Sequence, residues 1–273
     1  MKSNRSSDRL PEEFARAFEA AGERLAPLGH LVLFFNRTAS TNDVALALSA
    51  DADADGIVVL ADEQTAGRGR QGRVWHSPPG TGLYVSIVLR LAEARDRDRA
   101  VGLLTLAAGV ALAEAVEAVT ALRPDIKWPN DLLVGRRKLA GILAETAAGD
   151  SAPIVLGYGL NVSANALPPE VDQRATSLES ELGRAVDRAA ICVETIAALS
   201  RRYRDLLAGR FDAILDAWRD RSPSCRGTRV TWATHAGMRS GVTDGIDDRG
   251  ALLVRVGDRV ERIVGGAVAW ADR

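Results

Sequence analysis

The 273-residue chain has only three lysines, Lys2, Lys127 and Lys138, although lysine and arginine together number 35. Cysteines number two, histidines three and glutamines three. Each scarcity excludes something. Cys192 and Cys225 have neither metal-site nor redox spacing, so two buried free thiols are expected. His30, His76 and His235 are scattered, and no Ser-His-Asp or Cys-His arrangement accompanies them. A formal net charge of -1 gives no general pull toward nucleic acid or an anionic membrane. No apolar run reads as approaching the ~18 residues of a membrane span. The opening MKSNRSSDRL lacks the apolar core of a secretion signal, so the cytoplasm is the expected location.

The few lysines and glutamines are not spread evenly. Lys127 and Lys138 share the stretch KWPNDLLVGRRK, and Gln64 and Gln71 share EQTAGRGRQGRVW. In an arginine-biased chain, a retained lysine marks a place where a compact ammonium serves better than a planar fork.

Periodicity outlines the elements. Phe14, Phe18 and Leu25 recur at helical spacing behind Pro11. Strands are predicted at 31–37, 56–62, 82–91 and 152–162, and helices at about 98–122, 187–208 and 211–220. STNDVALALSA opens a further helix, with Ser40 or Thr41 as its cap. IKWPNDLLV and KLAGILAET read as two extended runs of a hairpin turning at Gly135-Arg136-Arg137. From about residue 225, short β runs alternate with Gly and Asp turns, the pattern of a small barrel or sandwich. The expectation is an α/β (α+β) domain at 31–222, a β domain at 225–273 and a partly helical extension at 1–30, with the break near Ser222-Pro223-Ser224.

Three stretches carry chemistry. In Gly67-Arg68-Gly69-Arg70-Gln71-Gly72-Arg73, glycines free the backbone to form an anion-binding nest and arginines supply phosphate-binding forks. The same stretch also reads as a solvated surface loop, and it lacks Walker spacing. In Lys127-Trp128-Pro129-Asn130-Asp131, the proline bends the strand, and a carboxylate beside a lysine there can hold Mg²⁺ and polyphosphate together. A hairpin with a surface ion pair is the plainer reading. Ser40-Thr41-Asn42 is a helix cap first and a polar ligand site second.

Taken in order and spacing, STN, QTAGRGRQGRVW, KWPNDLLVGRRKLAGILAE, GYGLNV and the tail GIDDRGALLV…IVGG resemble the biotin–protein ligase family over about residues 31–270. The resemblance implies a mixed β-sheet with helices on one side, akin to the class II aminoacyl-tRNA synthetase core, followed by a small SH3-like β-barrel. It implies a cytoplasmic ligase that uses ATP and Mg²⁺, with biotin as substrate, and modifies a lysine of a carboxylase's biotin carboxyl carrier domain. Ser40, Thr41, Asn42, Gln64, Gly67, Arg68 and Lys138 would bind biotin. Arg70, Arg73, Trp75, Lys127, Asn130 and Asn161 would hold ATP or the adenylate. Lys138, Arg70, Arg68 and Asp131 would serve catalysis, with Asp131 also toward Mg²⁺. An arginine that family members often carry after the last strand is offset here to Arg273, which receives no role.

A lipoate–protein ligase shares this chemistry, but the GRGRQGR and KWPND pairing favours biotin. Some members add a DNA-binding winged helix of roughly 60 residues, which the 30 before the first core strand do not hold, so nucleic acid is not an expected partner. A binding protein without catalysis is opposed by Lys138 and the arginine loop. A sheet edge could pair two copies into a homodimer.

Overall fold

A computed structural model describes residues 7–146, 152–167, 174–235 and 237–271. In chain order the helices are Glu12–Ala21 (α1), Thr41–Leu48 (α2), Arg97–Thr120 (α3), Leu178–Leu182 (α4), Arg188–Leu207 (α5) and Phe211–Asp220 (α6). The first seven strands are Val32–Thr38 (β1), Val58–Gln64 (β2), Gly82–Leu89 (β3), Asp125–Lys127 (β4), Asp131–Val134 (β5), Arg137–Thr146 (β6) and Ile154–Asn161 (β7). They form one mixed sheet in the order β1-β2-β3-β7-β6-β5-β4. Only β1 and β2 are parallel, joined through α2; every other neighbouring pair is antiparallel.

The central strands β3 and β7 are buried on both faces along their length, and alternation decides which residue meets which layer. Val58, Leu60, Leu83, Val85, Ile87, Leu156, Tyr158 and Leu160 point into a large core with α3, α5 and α6. Val59, Ala61, Val88 and Val155 point the other way, into a smaller cluster closed by Val44 and Ala45 of α2. Helices therefore lie on both faces rather than one. The apolar end of the second face needs a cover, and α2, leaving β1, supplies it. The rest of that face is left for polar groups.

α3 begins at Asp96, whose side chain accepts from the Arg99 N–H, and ends at left-handed Ala121, three residues before Pro124. By length and composition it could span a bilayer, contrary to the sequence expectation. Most of that stretch is buried here against α5 and α6, so the core consumes its apolarity. α1 starts behind Pro11, and Phe14 joins the large core together with Leu25, which lies in the 3₁₀ turn Gly22–Leu25 beyond the helix.

The predicted two-run hairpin is in fact three strands. Proline cannot donate to a ladder, so the first run folds at Trp128-Pro129-Asn130, and Lys127 pairs across to Asp131. The second turn, at Gly135 with φ +59°, joins β5 to β6.

After Pro223 the chain builds a second, fully antiparallel sheet from Arg226–Thr234 (β8), Gly237–Ile246 (β9), Leu252–Val256 (β10), Arg259–Ile263 (β11) and Val268–Trp270 (β12), in the order β11-β10-β9-β8-β12. Its Val230, Leu252 and Val254 are continuous with the large core.

Candidate active site

Three strand glycines make the floor of a cleft of about 480 Å³ on the face not covered by α3 and α5. Gly141 of β6 pairs with Gly159 of β7, and Gly157 pairs with Ser86 of β3. Side chains are absent because others fill their space. A Cβ on Gly159 would lie 2.2 Å from Trp75 Nε1, and one on Gly157 would lie 2.1 Å from Asn42 Oδ1.

One end of the floor carries a polar chain. Gln64 Oε1 accepts from the Thr41 N–H at 2.8 Å, and Gln64 Nε2 donates to Ser77 Oγ at 3.0 Å. Ser86 Oγ lies 2.7 Å from Thr41 Oγ1 and 2.5 Å from Asn42 Oδ1, and Asn42 Nδ2 donates to Glu145 Oε2. Ser40 occupies the cap position of α2, but its side chain makes no capping bond. Ser40, Thr41, Asn42 and Ser86 are nonetheless all buried. Buried polar groups placed in series suit a ligand that itself donates and accepts.

The other end carries charge. Lys138 Nζ stands 2.6 Å from Asp131 Oδ1 and 5.3 Å over the Trp75 ring. Asn130 donates to the Ile142 carbonyl at 2.8 Å and accepts from Arg70 Nη1 at 3.2 Å. Asn161 donates to the Thr176 carbonyl at 2.9 Å, and Lys127 lies 5.7 Å over the Trp270 ring. Trp75 Nε1 is buried without a hydrogen-bond partner. Gly266, just before β12, and Val268 and Trp270 of β12 complete this end.

The Gly-Arg loop is an ordered turn. Gly69 N–H donates to the Arg73 carbonyl at 2.7 Å and Trp75 N–H to the Gly67 carbonyl at 2.9 Å, with Gln71 and Gly72 both at positive φ. Its arginines differ. Arg68 bonds to Asp43 and Glu145, which hold its guanidinium more firmly protonated than usual. Burial lowers the pKa of Arg70; Asp131 opposes the shift and Arg73 adds to it. Among the described residues half-buried Arg70 has no carboxylate within ion-pair distance; its guanidinium bonds only the neutral oxygens of Asn130 and Gly266, and Asp131 supplies the nearest opposing charge. Arg73 also lines the cleft but is largely exposed.

No group of three or more acidic, histidine or cysteine side chains that could hold a metal occurs among the described residues. The single carboxylate Asp131 beside the charged end fits Mg²⁺, which takes one or two carboxylates and fills its other positions from water and phosphate oxygens.

The family model for biotin/lipoate A/B protein ligases matches residues 34–161. The bifunctional ligase/repressor BirA of Bacillus subtilis is 34% identical over 246 residues, which cover 89% of this chain and 74% of that protein. The biotin–[acetyl-CoA-carboxylase] ligase of Mycobacterium tuberculosis is 38% identical over 247 residues, covering 85% of this chain and 86% of the other. This chain belongs to the biotin–protein ligase family. The ligase fold extends over nearly the whole molecule. The biotin protein ligase of Aquifex aeolicus, solved in complex with biotin and ATP, superposes with a TM-score of 0.77 at 26% identity, covering 90% of this chain and 100% of that one.

All the predicted site residues line this one cleft except Gly67, which lies beneath the loop with Trp75 O and Ser77 Oγ against it. Arg273 is outside the described residues. Sequence reasoning missed Ser86, Asp43, Glu145 and the three floor glycines. Gly141 and Glu145 had a signal: they stand four apart on one strand face, an odd place for glycine and a charge. Cys192 and Cys225 are free and buried, and burial pushes the Cys192 thiol up to about 12.

Proposed function

We propose that this cleft carries both half-reactions of a biotin–protein ligase. Biotin and ATP give biotinyl-5′-AMP and pyrophosphate. The ε-amine of a carrier lysine then attacks the biotinyl carbonyl, and AMP leaves. The observation that carries the reading is the pairing, on one glycine floor, of a buried polar chain with an end where Lys138 and Arg70 gather around one carboxylate, Asp131.

Ser40, Thr41, Asn42 and Gln64 read the ureido ring, with Gly67 and Arg68 shaping the loop against it. The biotin carboxylate and the α-phosphate both carry negative charge and repel one another. Lys138 and Arg70 offset that repulsion with charge placed beforehand, so positioning replaces covalent help from the enzyme. Trp75, Asn130, Asn161, Lys127 and Arg73 hold the nucleotide. Asp131 would hold Mg²⁺, which would supply positive charge to neutralise the polyphosphate. The Gly-Arg loop shields the anhydride from water until the carrier lysine enters.

The acceptor we assign is the biotin carboxyl carrier domain of an acetyl-CoA or related acyl-CoA carboxylase, in the cytoplasm. Neither nucleic acid nor membrane is assigned as a partner. Residues 31–222 read as a class II synthetase-like catalytic domain, residues 225–273 as an SH3-like barrel and residues 1–30 as an extension. Gel filtration with and without biotin and ATP tests for a homodimer. The activity itself is tested by biotin-dependent exchange of labelled pyrophosphate into ATP, with lipoate as control. Exchange with biotin alone supports the reading; exchange with lipoate alone transfers it to lipoate; exchange with neither removes the enzyme assignment.

A further inference from the structure

The GIDDRG stretch lies outside the cleft yet is built with unusual care. Asp247 N–H donates to the Ala251 carbonyl and Gly250 N–H to the Asp247 carbonyl, at 3.0 and 3.2 Å. The Asp247 carboxylate accepts from the Arg249 and Ala251 N–H groups, both at 2.9 Å, and from Arg262 Nε at 2.6 Å. Gly250 has φ +82°, and a Cβ there would lie 2.9 Å from Leu106 and 3.0 Å from Leu103 of α3. The turn therefore fits a socket that admits only glycine at its tip. Arg99 Nε, from the same helix, donates to the Asp248 carbonyl at 2.8 Å.

The last side of the socket is Trp128. It is 3% exposed, and its indole N–H donates to the Gly250 carbonyl at 3.0 Å. Two residues on is Asn130, which bonds Ile142 of the first sheet through both its backbone carbonyl, at 2.9 Å, and its side-chain amide, at 2.8 Å. The short turn between β4 and β5 is thus tied at one end to the second sheet and at the other to the first. The second sheet also lines the nucleotide end of the cleft, and Arg70 Nη2 reaches the Gly266 carbonyl at 3.5 Å.

We propose that the Asp247–Ala251 turn is a positioning device for the nucleotide. Seated in its socket, it holds Trp128, and through Trp128 the turn that presents Asn130 and Asp131. The assignment of that end to ATP rests on the function proposed above. Trp128 is a positioning residue here, not a catalytic one. Loosening the pin affects ATP, while the buried Thr41–Gln64–Ser86 chain at the far end keeps its hold on biotin.

The test is Trp128→Phe in the full chain, which keeps the ring's bulk and removes the N–H. Affinities for ATP and for biotin are measured separately by calorimetry, beside thermal unfolding. The expected result is ATP affinity weakened about fivefold or more, biotin affinity changed less than twofold, and a lower unfolding temperature. Unchanged ATP affinity, with or without a lower unfolding temperature, overturns the proposal, and so does equal weakening of both ligands. Arg99→Gln loosens the same turn from the helix side and reads the same split if the tryptophan variant does not fold. Calorimetry needs no turnover, so missing pyrophosphate exchange in the unaltered chain would count against the biotin-ligase reading and leave the pin to be judged by ATP affinity.

Discussion

Arg68 holds Glu145 through two bonds, Nε to Oε1 at 3.2 Å and Nη2 to Oε2 at 3.0 Å, and reaches Asp43 with the same Nη2 at 2.6 Å. Its charge is already spent on two carboxylates, so it anchors the start of the Gly-Arg loop. Glu145→Gln makes the second pair neutral. The group is partly exposed, so a modest cost of about 1 kcal/mol is expected. That corresponds to a rise of about fivefold in KM for biotin, read in pyrophosphate exchange. An unchanged KM would show that Arg68 needs only Asp43.

Arg70 has the opposite setting: half-buried, without a carboxylate within ion-pair distance and facing the cleft. Arg70→Gly is expected to keep adenylation measurable but let biotinyl-AMP escape. Incubation with biotin, ATP and bystander proteins checks this. Stray labelling at the unaltered chain's level would remove the loop's shielding role.

Lys138 packs between Asp131, Trp75 and Gly141. Lys138→Gln keeps most of the length and loses the charge. Pyrophosphate exchange should fall by about 10²–10³, the scale of losing one preorganised charge stabiliser. Biotin affinity should change far less. A fall below tenfold would assign the charge to Arg70 instead.

The floor tolerates no side chain where Trp75 lies. Gly159→Ala puts a methyl 2.2 Å from Trp75 Nε1, whereas Gly141→Ala puts one 3.1 Å from Lys138 and Trp75. The first should abolish detectable ATP binding in calorimetry, and the second should only weaken it. Equal effects would mean that Trp75 moves freely off the floor.

Burial alone would raise the Asp247 carboxyl, but hydrogen bonds from the Ala251 N–H, Arg262 and the Arg249 N–H outweigh it, and its pKa lies below the usual carboxylate value. A depressed carboxylate stabilises the fold above its unfolded pKa of about 3.9 and loses that contribution as pH falls through the folded value. Asp247→Asn should therefore lower the unfolding temperature by about 2–4 °C at pH 7. The gap to the unaltered chain should narrow below pH 4. A gap that does not depend on pH would mean that shape, not charge, matters at this turn.

How much of this was legible beforehand differs by residue. Lys138 and Asp131 fall on neighbouring strands of the expected hairpin, but that register sets Asp131 opposite Gly141; a register shift after Leu132 and the length of the lysine bring them to 2.6 Å. STN, Gln64 and the Gly-Arg loop were visible as unusual residues in unusual runs. Ser86 was not, because one serine in an apolar strand has no pattern. It matters only because β3 lies beside β7 and under α2. Asp43 and Glu145 are 102 residues apart in numbering and meet only through Arg68. Trp128 reads as a strand residue, and its partner Gly250 is 122 positions away.

Alternation and turn chemistry act between near neighbours, so the sequence by itself determined most of the elements, the α/β-then-β order and the short motifs that carry charge and glycine. Which strands lie side by side depends on burying apolar faces between segments far apart in the chain. The tertiary structure therefore decided the order of the mixed sheet, the placement of α2 on its second face, the different surroundings of Arg68 and Arg70, and the seating of the second sheet against Trp128.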